Sequence, residues 1–282
     1  MLNVDVPAGT IEYADTGGDG PVVVLCGGLA IGPSLWDGVV AALGDGVRCV
    51  VPTLPWGAHR IAMRPEADLS MPGQAAILGD FMAALDLREV TLVENDTAMS
   101  QVLCADGCDR VARLVITSCE AFDNYPPGLP GKAIAIAAKI PGAFFLAIQQ
   151  FHLRAFRRSP LGFGWMAKRP IPHAQSDQWL EPLLTRKEIR ADLHKYVSHL
   201  DRSILTRAAE ALREFDRPAL VVWATEDRVM PLEHGRRLAA MLPQGRLVEI
   251  ADSYTLIPHD QPVALAREIS AFMRAAPTIA AA

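Results

Sequence analysis

No run of about 18 uninterrupted apolar residues occurs in this 282-residue chain, so no membrane-spanning helix is expected. The N-terminal stretch MLNVDVPAGTIEYADTGG lacks the basic and apolar regions of a secretory leader, and a soluble, cytoplasmic protein with no membrane partner is expected. Positive charge is also missing. The formal net charge is -5, and a phosphate backbone needs a positive footprint, so a nucleic-acid partner is not expected and a small-molecule substrate is. The five cysteines (Cys26, Cys49, Cys104, Cys108, Cys119) are odd in number and sit in apolar surroundings, which argues against a disulfide framework. Cys104 and Cys108 lack a second ligand pair, so no metal site is expected, and no organic-cofactor signature or internal repeat is visible. The sequence leaves the oligomeric state open, a homodimer included.

Half of the residues are apolar, enough for a sizeable core, so disorder is not expected. Short β-branched runs (PVVVLCGG, VRCVVPTLP, EVTLVEN, VARLVITSC, PALVVWATED and GRLVEIADS) alternate with helical patterns, as in a mostly parallel sheet built from βαβ units and flanked by helices. Between Ser118 and Pro218 the alternation stops. The segments GKAIAIAAK, GAFFLAIQQFHLRAF, SDQWLEPLL, KEIRADLHKYVSHL and LTRAAEALREF carry helical periodicity, broken by Pro and Gly. An α/β core of residues 1–119 and 216–282 is therefore expected, with a helical lid inserted at 120–215. The alanine-rich tail AAPTIAAA is expected to fray.

Chemistry concentrates at strand ends. In LVENDTAM, Asp96 stands at a strand-to-helix turn, with Glu94 two residues before it and Ala98 two after. An Asp there can cap the helix that begins near Thr97, or it can face a site. Glu94 either lies buried beside Asp96, where two close carboxylates raise one pKa, or faces a solvated or salt-bridged edge.

The pattern around Asp96 resembles the nucleophile elbow G-x-S-x-G of the α/β-hydrolase fold, with Asp in the serine position and Glu94 and Ala98 in place of the glycines. Three more stretches carry the resemblance. VVVLCGGLAIGPSLWDGVVAAL is similar to the family's strand, His-Gly turn and Trp-bearing helix, with Cys26 for the His and Gly27 and Gly28 keeping the turn. VVWATEDRVMPLEHGRRLAAML is similar to the later strand and G-x-x-D segment, with Asp227 where the family keeps its acid. VEIADSYTLIPHDQPVALAREISAFM is similar to the last strand, catalytic loop and closing helix. The order nucleophile, lid, acid, final loop is the family's own.

The resemblance implies an α/β-hydrolase fold with a helical lid. Within the family, the Asp-nucleophile branch of epoxide hydrolases and haloalkane dehalogenases fits best. It implies Asp96 as nucleophile, Asp227 as acid, and the backbone N–H groups of Gly28 and Thr97 as the oxyanion hole. One residue departs from it. Where the family reads D-S-G-H this chain reads DSYT, so Thr255 stands where the branch keeps the base that hydrolyses the ester on Asp96.

His259 is one replacement for that base, and His59, His152, His173, His194 and His199 are others from the lid or its rim. Asp96 acting as a general acid/base in a lyase, isomerase or cyclase, which forms no ester, removes the need for one. A catalytically silent binding protein is a further reading. Thr97 stands where dehalogenases place a halide-binding Trp, which favours an epoxide-hydrolase-like reaction. Tyr196 and Tyr125 are then candidate alkoxide donors and Trp165 a candidate wall of the substrate site. Glu120 and Asp123 are read first as lid-hinge polar residues and second as a substitute acid. The arginines Arg154, Arg157 and Arg158 are read as a solvated helix face that could steer an anion or hold a partner.

Overall fold

The computed structural model describes residues 1–275; the segment 276–282, which holds nearly all of the tail expected to fray, lies outside them. Eight strands form one sheet in the order β1-β2-β4-β3-β5-β6-β7-β8. They are β1 (Leu2–Val6), β2 (Gly9–Asp15), β3 (Val22–Cys26), β4 (Arg48–Thr53), β5 (Val90–Asp96), β6 (Val111–Cys119), β7 (Ala219–Ala224) and β8 (Gly245–Ile250). The six runs read as strands from the sequence are β3 to β8, and they pair in parallel. The hairpin β1-β2 adds two antiparallel strands at one edge.

β5, β6 and β7 are buried along their whole length, which explains their near-continuous apolar runs: helices cover both faces. Strand alternation sorts side chains into two cores. Val24 and Cys26 face one side with Phe81 of α2 (Met71–Ala84), Val102 of α3 (Met99–Ala105) and Leu238 of α4 (Leu232–Met241). Val23 and Leu25 face the other with Val39 of α1 (Asp37–Leu43) and Ile269 of α5 (Pro262–Ala275). Helix α2 starts where its sequence directs: the Ser70 side chain accepts from the Gly73 N–H at 3.3 Å and Pro72 stands in the first turn. Such a cap is worth about 1 kcal/mol.

Between β6 and β7 run further helices: α6 (Gly128–Ala137), α7 (Ala143–Gln149), α8 (Arg154–Arg157), α9 (His173–Thr185), α10 (Lys187–Ser198) and α11 (Ser203–Ala211). The expected segment GAFFLAIQQFHLRAF is split into α7, a short 3-10 turn and α8 rather than one helix. The helices α6 to α10 pack on one another as a cap, whereas α11 packs against α3 and α4 in the layer flanking the sheet. From β3 the chain steps outward to β4, then returns to the other side of β3 as β5. Such a switch point opens a crevice at the carboxyl ends of the strands, where ligands bind in open α/β sheets.

Candidate active site

β5 ends in that crevice. Asp96, its last residue, has φ 76°, a left-handed backbone uncommon outside glycine that Asp and Asn adopt more readily than other residues, and it stands between strand and helix. The Asp96 carbonyl accepts from the Glu120 N–H at 3.1 Å, tying the elbow to the end of β6.

The three polar residues at this junction have separate duties. Glu94 is fully buried, and its Oε2 accepts the Ser100 N–H at 2.8 Å in the first turn of α3, a helix whose own N-cap residue, Ala98, supplies no side-chain bond. Burial pushes its carboxyl up to about 7. The reading of Glu94 as an edge residue therefore fails, because its side chain is the helix cap. Asn95 donates to the Thr255 carbonyl at 2.8 Å and to Thr117 Oγ at 3.0 Å, joining β5, β6 and the final loop. Asp96 alone of the three faces the cavity.

The cavity measures about 480 Å³ and is walled by apolar side chains such as Leu29, Ile134, Phe156 and Met166. Its ionisable lining groups are Asp96 and Glu120. Among the described residues no histidine lines it. Burial, opposed by the Leu29 N–H and reinforced by the charge of Asp227, pushes Asp96 up to about 7. Glu120 is buried, its Oε2 has no hydrogen-bond partner among the described residues, and burial together with the charges of Asp96 and Glu94 holds it well above the usual carboxylate range. Burial therefore favours its neutral form.

The oxyanion-hole expectation needs correction. The backbone donor to Asp96 Oδ2 is Leu29 N–H at 3.3 Å, one residue beyond Gly28. Gly28 contributes room instead, because a Cβ there would fall 1.9 Å from that oxygen. Thr97 is fully buried and its hydroxyl has no partner among the described residues.

Asp227 stands beside the site, and its Oδ1 accepts from Val229 N–H at 2.9 Å, Met230 N–H at 2.8 Å and Thr255 Oγ at 2.8 Å. Burial pushes it up to about 6. The Thr255 hydroxyl therefore occupies the partner position of this carboxylate, and a hydroxyl is no general base.

His259 does not repair the gap. Its Nε2 lies 3.2 Å from the Arg169 carbonyl in a separate surface depression. The neighbouring Asp260 carboxylate, buried and accepting from Lys168, Arg169 and Tyr254 N–H groups at 2.8 to 3.0 Å, clamps the short helix α12 (Ile257–Asp260) in that orientation.

Of the other candidates, His59 bonds Asp192 at 3.0 Å, His194 bonds the Ala138 carbonyl at 3.0 Å and His199 Nδ1 lies 2.7 Å from the Lys195 carbonyl, and neither these nor His152 and His173 line the cavity. Tyr125 and Tyr196 are buried and share a hydroxyl–hydroxyl bond of 3.2 Å, with Trp56 edge-on to Tyr196; neither tyrosine lines the cavity. Trp165 is half-buried against the core and is likewise not a cavity wall. Asp123 is 92% exposed, opposite His234. Glu120 is the residue that the sequence reading underweighted. Its signal was its position next to Cys119 at the carboxyl end of β6.

Residues 21–262 match the alpha/beta hydrolase fold. Haloalkane dehalogenase 2 of Mycobacterium tuberculosis is 25% identical over 273 residues, which cover 94% of this chain and 92% of that one. An uncharacterized hydrolase of Bacillus subtilis, YugF, is 35% identical over 65 residues, 23% of this chain and 24% of that protein, so this match spans only a quarter of its length. Among solved structures, a haloalkane dehalogenase from Bradyrhizobium elkani superposes with a TM-score of 0.78 at 18% identity, covering 98% of this chain and 99% of that one. At that identity the likeness is one of fold.

Proposed function

The chain belongs to the alpha/beta hydrolase fold family, and within it we propose an epoxide-hydrolase-like enzyme in which Asp96 attacks carbon and Glu120 moves the protons. The observation that carries this reading is the pairing of two carboxyl groups on one apolar cavity, Asp96 pushed up to about 7 and Glu120 raised well above the usual carboxylate range. The substrate class is a small, mainly apolar epoxide.

The cycle closes without histidine. As the free oxygen of Asp96 attacks a ring carbon, the ring C–O bond breaks, an ester bond forms, and Glu120 gives its proton to the departing oxygen. Glu120 is now a carboxylate. It takes a proton from water while the water oxygen adds to the ester carbonyl, and the negative charge settles on the oxygen facing Leu29 N–H. Collapse expels the product oxygen, which takes the proton from the newly formed Asp96 carboxylic acid. A diol leaves, and both side chains return to their starting states.

The same logic separates epoxides from alkyl halides. A halide leaves without a proton, so Glu120 stays protonated and no base is generated. The ester then persists. Intact-mass spectrometry with epoxide and alkyl bromide panels tests this. Epoxides should turn over in heavy-oxygen water and label Asp96, while alkyl bromides should leave an adduct that Asp96→Asn does not form. Absence of both adduct and label overturns the covalent reading.

A second reading is favoured by Thr255: Asp96 as general base and Glu120 as general acid in an isomerisation, elimination or cyclisation. It predicts neither adduct nor label, with activity lost in Asp96→Asn. A binding protein would instead return its ligands unchanged and retain binding in that variant.

A further inference from the structure

The net charge of -5 conceals a strong asymmetry. Between Asp123 and Asp177 the chain has seven Lys and Arg residues and no Asp or Glu, while the rest carries 20 basic against 32 acidic residues. Some of these cations are neutralised by acids from outside the stretch: Arg154 and Arg157 meet Asp177, Lys168 meets Glu226 and Asp252, and Arg169 meets Asp252. Lys132, Lys139 and Arg158 are exposed and meet no acidic side chain among the described residues.

Apolar exposure falls in the same place. Among the described residues, seven of the ten large apolar side chains that stand well exposed lie between Leu129 and Leu161, with Ile136 at 61%, Leu146 at 64% and Leu153 at 64%. On α6 and the turn after it, Leu129, Lys132, Ile136, Lys139 and Ile140 recur at helical spacing as one outward stripe, while Ala133 and Ala137 line the cavity. α7 packs beside α6 and adds Phe145 and Leu146.

We propose that this face of the cap, formed by α6, α7 and α8, docks on an anionic lipid surface. Exposed apolar side chains interleaved with unpaired cations match an interface in which chains enter the acyl boundary and ammonium groups meet phosphate. Charge complementarity selects the lipid and also orients the protein. The acidic remainder is repelled from a negative surface, so the cap turns toward it. Leu146 and Leu161 belong both to this face and to the cavity wall, so the cavity mouth opens into the docked surface. The inference does not depend on the reaction assigned to Asp96.

Co-sedimentation of the full chain with vesicles tests it, using phosphatidylcholine alone and phosphatidylcholine with about a third phosphatidylglycerol. The protein should pellet with the anionic vesicles and stay in solution with the neutral ones. Lys132→Ala and Lys139→Ala should each weaken partitioning about fivefold, and Ile136→Ser or Leu153→Ser about tenfold. Unchanged thermal unfolding of these surface variants shows that they remain folded. Failure to pellet with the anionic vesicles overturns the proposal, and so does equal pelleting with the neutral ones. A concentration-dependent dimer in vesicle-free sedimentation that Ile136→Ser abolishes also overturns it, in favour of a second copy covering the face.

Discussion

Asp96→Asn should abolish turnover and yet stabilise the fold, by an amount set by pH. The folded protein holds the Asp96 carboxyl at about 7 against an ordinary value of 3.8, mainly because burial penalises its charge. Below about pH 4 the group is protonated in both folded and unfolded chains, so it exerts no pH-dependent effect. As pH rises from there toward 7, the unfolded chain releases this proton while the folded chain retains it, so stability falls across that window and levels off above it. The full loss from a shift of this size is about 4 kcal/mol.

Asparagine cannot ionise, and its oxygen can still accept from Leu29 N–H. The variant should therefore match the parent near about pH 4 and exceed it by about 4 kcal/mol near about pH 8. For a chain of this length that corresponds to a Tm about 7 °C higher at the alkaline end. Circular-dichroism melts of both proteins across this range measure the gap directly. A gap that does not widen with pH, or a variant less stable at the alkaline end, would refute the assignment of Asp96 as a buried, charge-penalised carboxyl.

Thr255→His should place an imidazole against Asp227, where the hydroxyl now donates at 2.8 Å, and should release alkyl esters from Asp96 that persist in the parent. The site is fully buried, so overpacking should cost about 1–3 kcal/mol, read as a lower Tm, and a folded variant whose adduct persists in the mass spectrum counts against the role given to this position. Gly28→Ala should push the Asp96 carboxylate off Leu29 N–H and lower turnover at least about 100-fold, whereas Gly46→Ala, whose added methyl meets nothing within 4 Å, should leave kinetics unchanged. In the folded protein, iodoacetamide should modify Cys108 and spare Cys26, Cys49, Cys104 and Cys119. Those four are buried, with Cys49 pushed up to about 11 and the others well above the ordinary thiol range, as peptide mapping would reveal.

The parallel part of the sheet was legible because strands buried on both faces must be apolar almost throughout, and β5, β6 and β7 are. The hairpin β1-β2 was not, because this outer part of the sheet exposes one face to water; Asn3, Asp5, Glu12 and Asp15 mask the alternation. Asp96 was legible for a local reason, since a strand-to-helix turn lies within one short segment. The absence of histidine from the Thr255 position was also a local fact.

What replaces that histidine was not local. Glu120 directly follows β6 and His259 lies in the short helix α12 after β8, and sequence spacing does not say which points inward. Tertiary contacts decide it. Asp260 is clamped by amides of Lys168 and Arg169, more than ninety positions away, and this holds His259 on the outside. The Glu120 N–H is bound by the Asp96 carbonyl, which starts its side chain beside the nucleophile position. Sequence by itself determined which chemical groups reach the carboxyl edge of the sheet. Only the folded chain decided which of them lose their water there, because desolvation depends on every neighbour that packs around a group, and that loss raises Glu120 well above the usual carboxylate range and pushes Asp96 up to about 7.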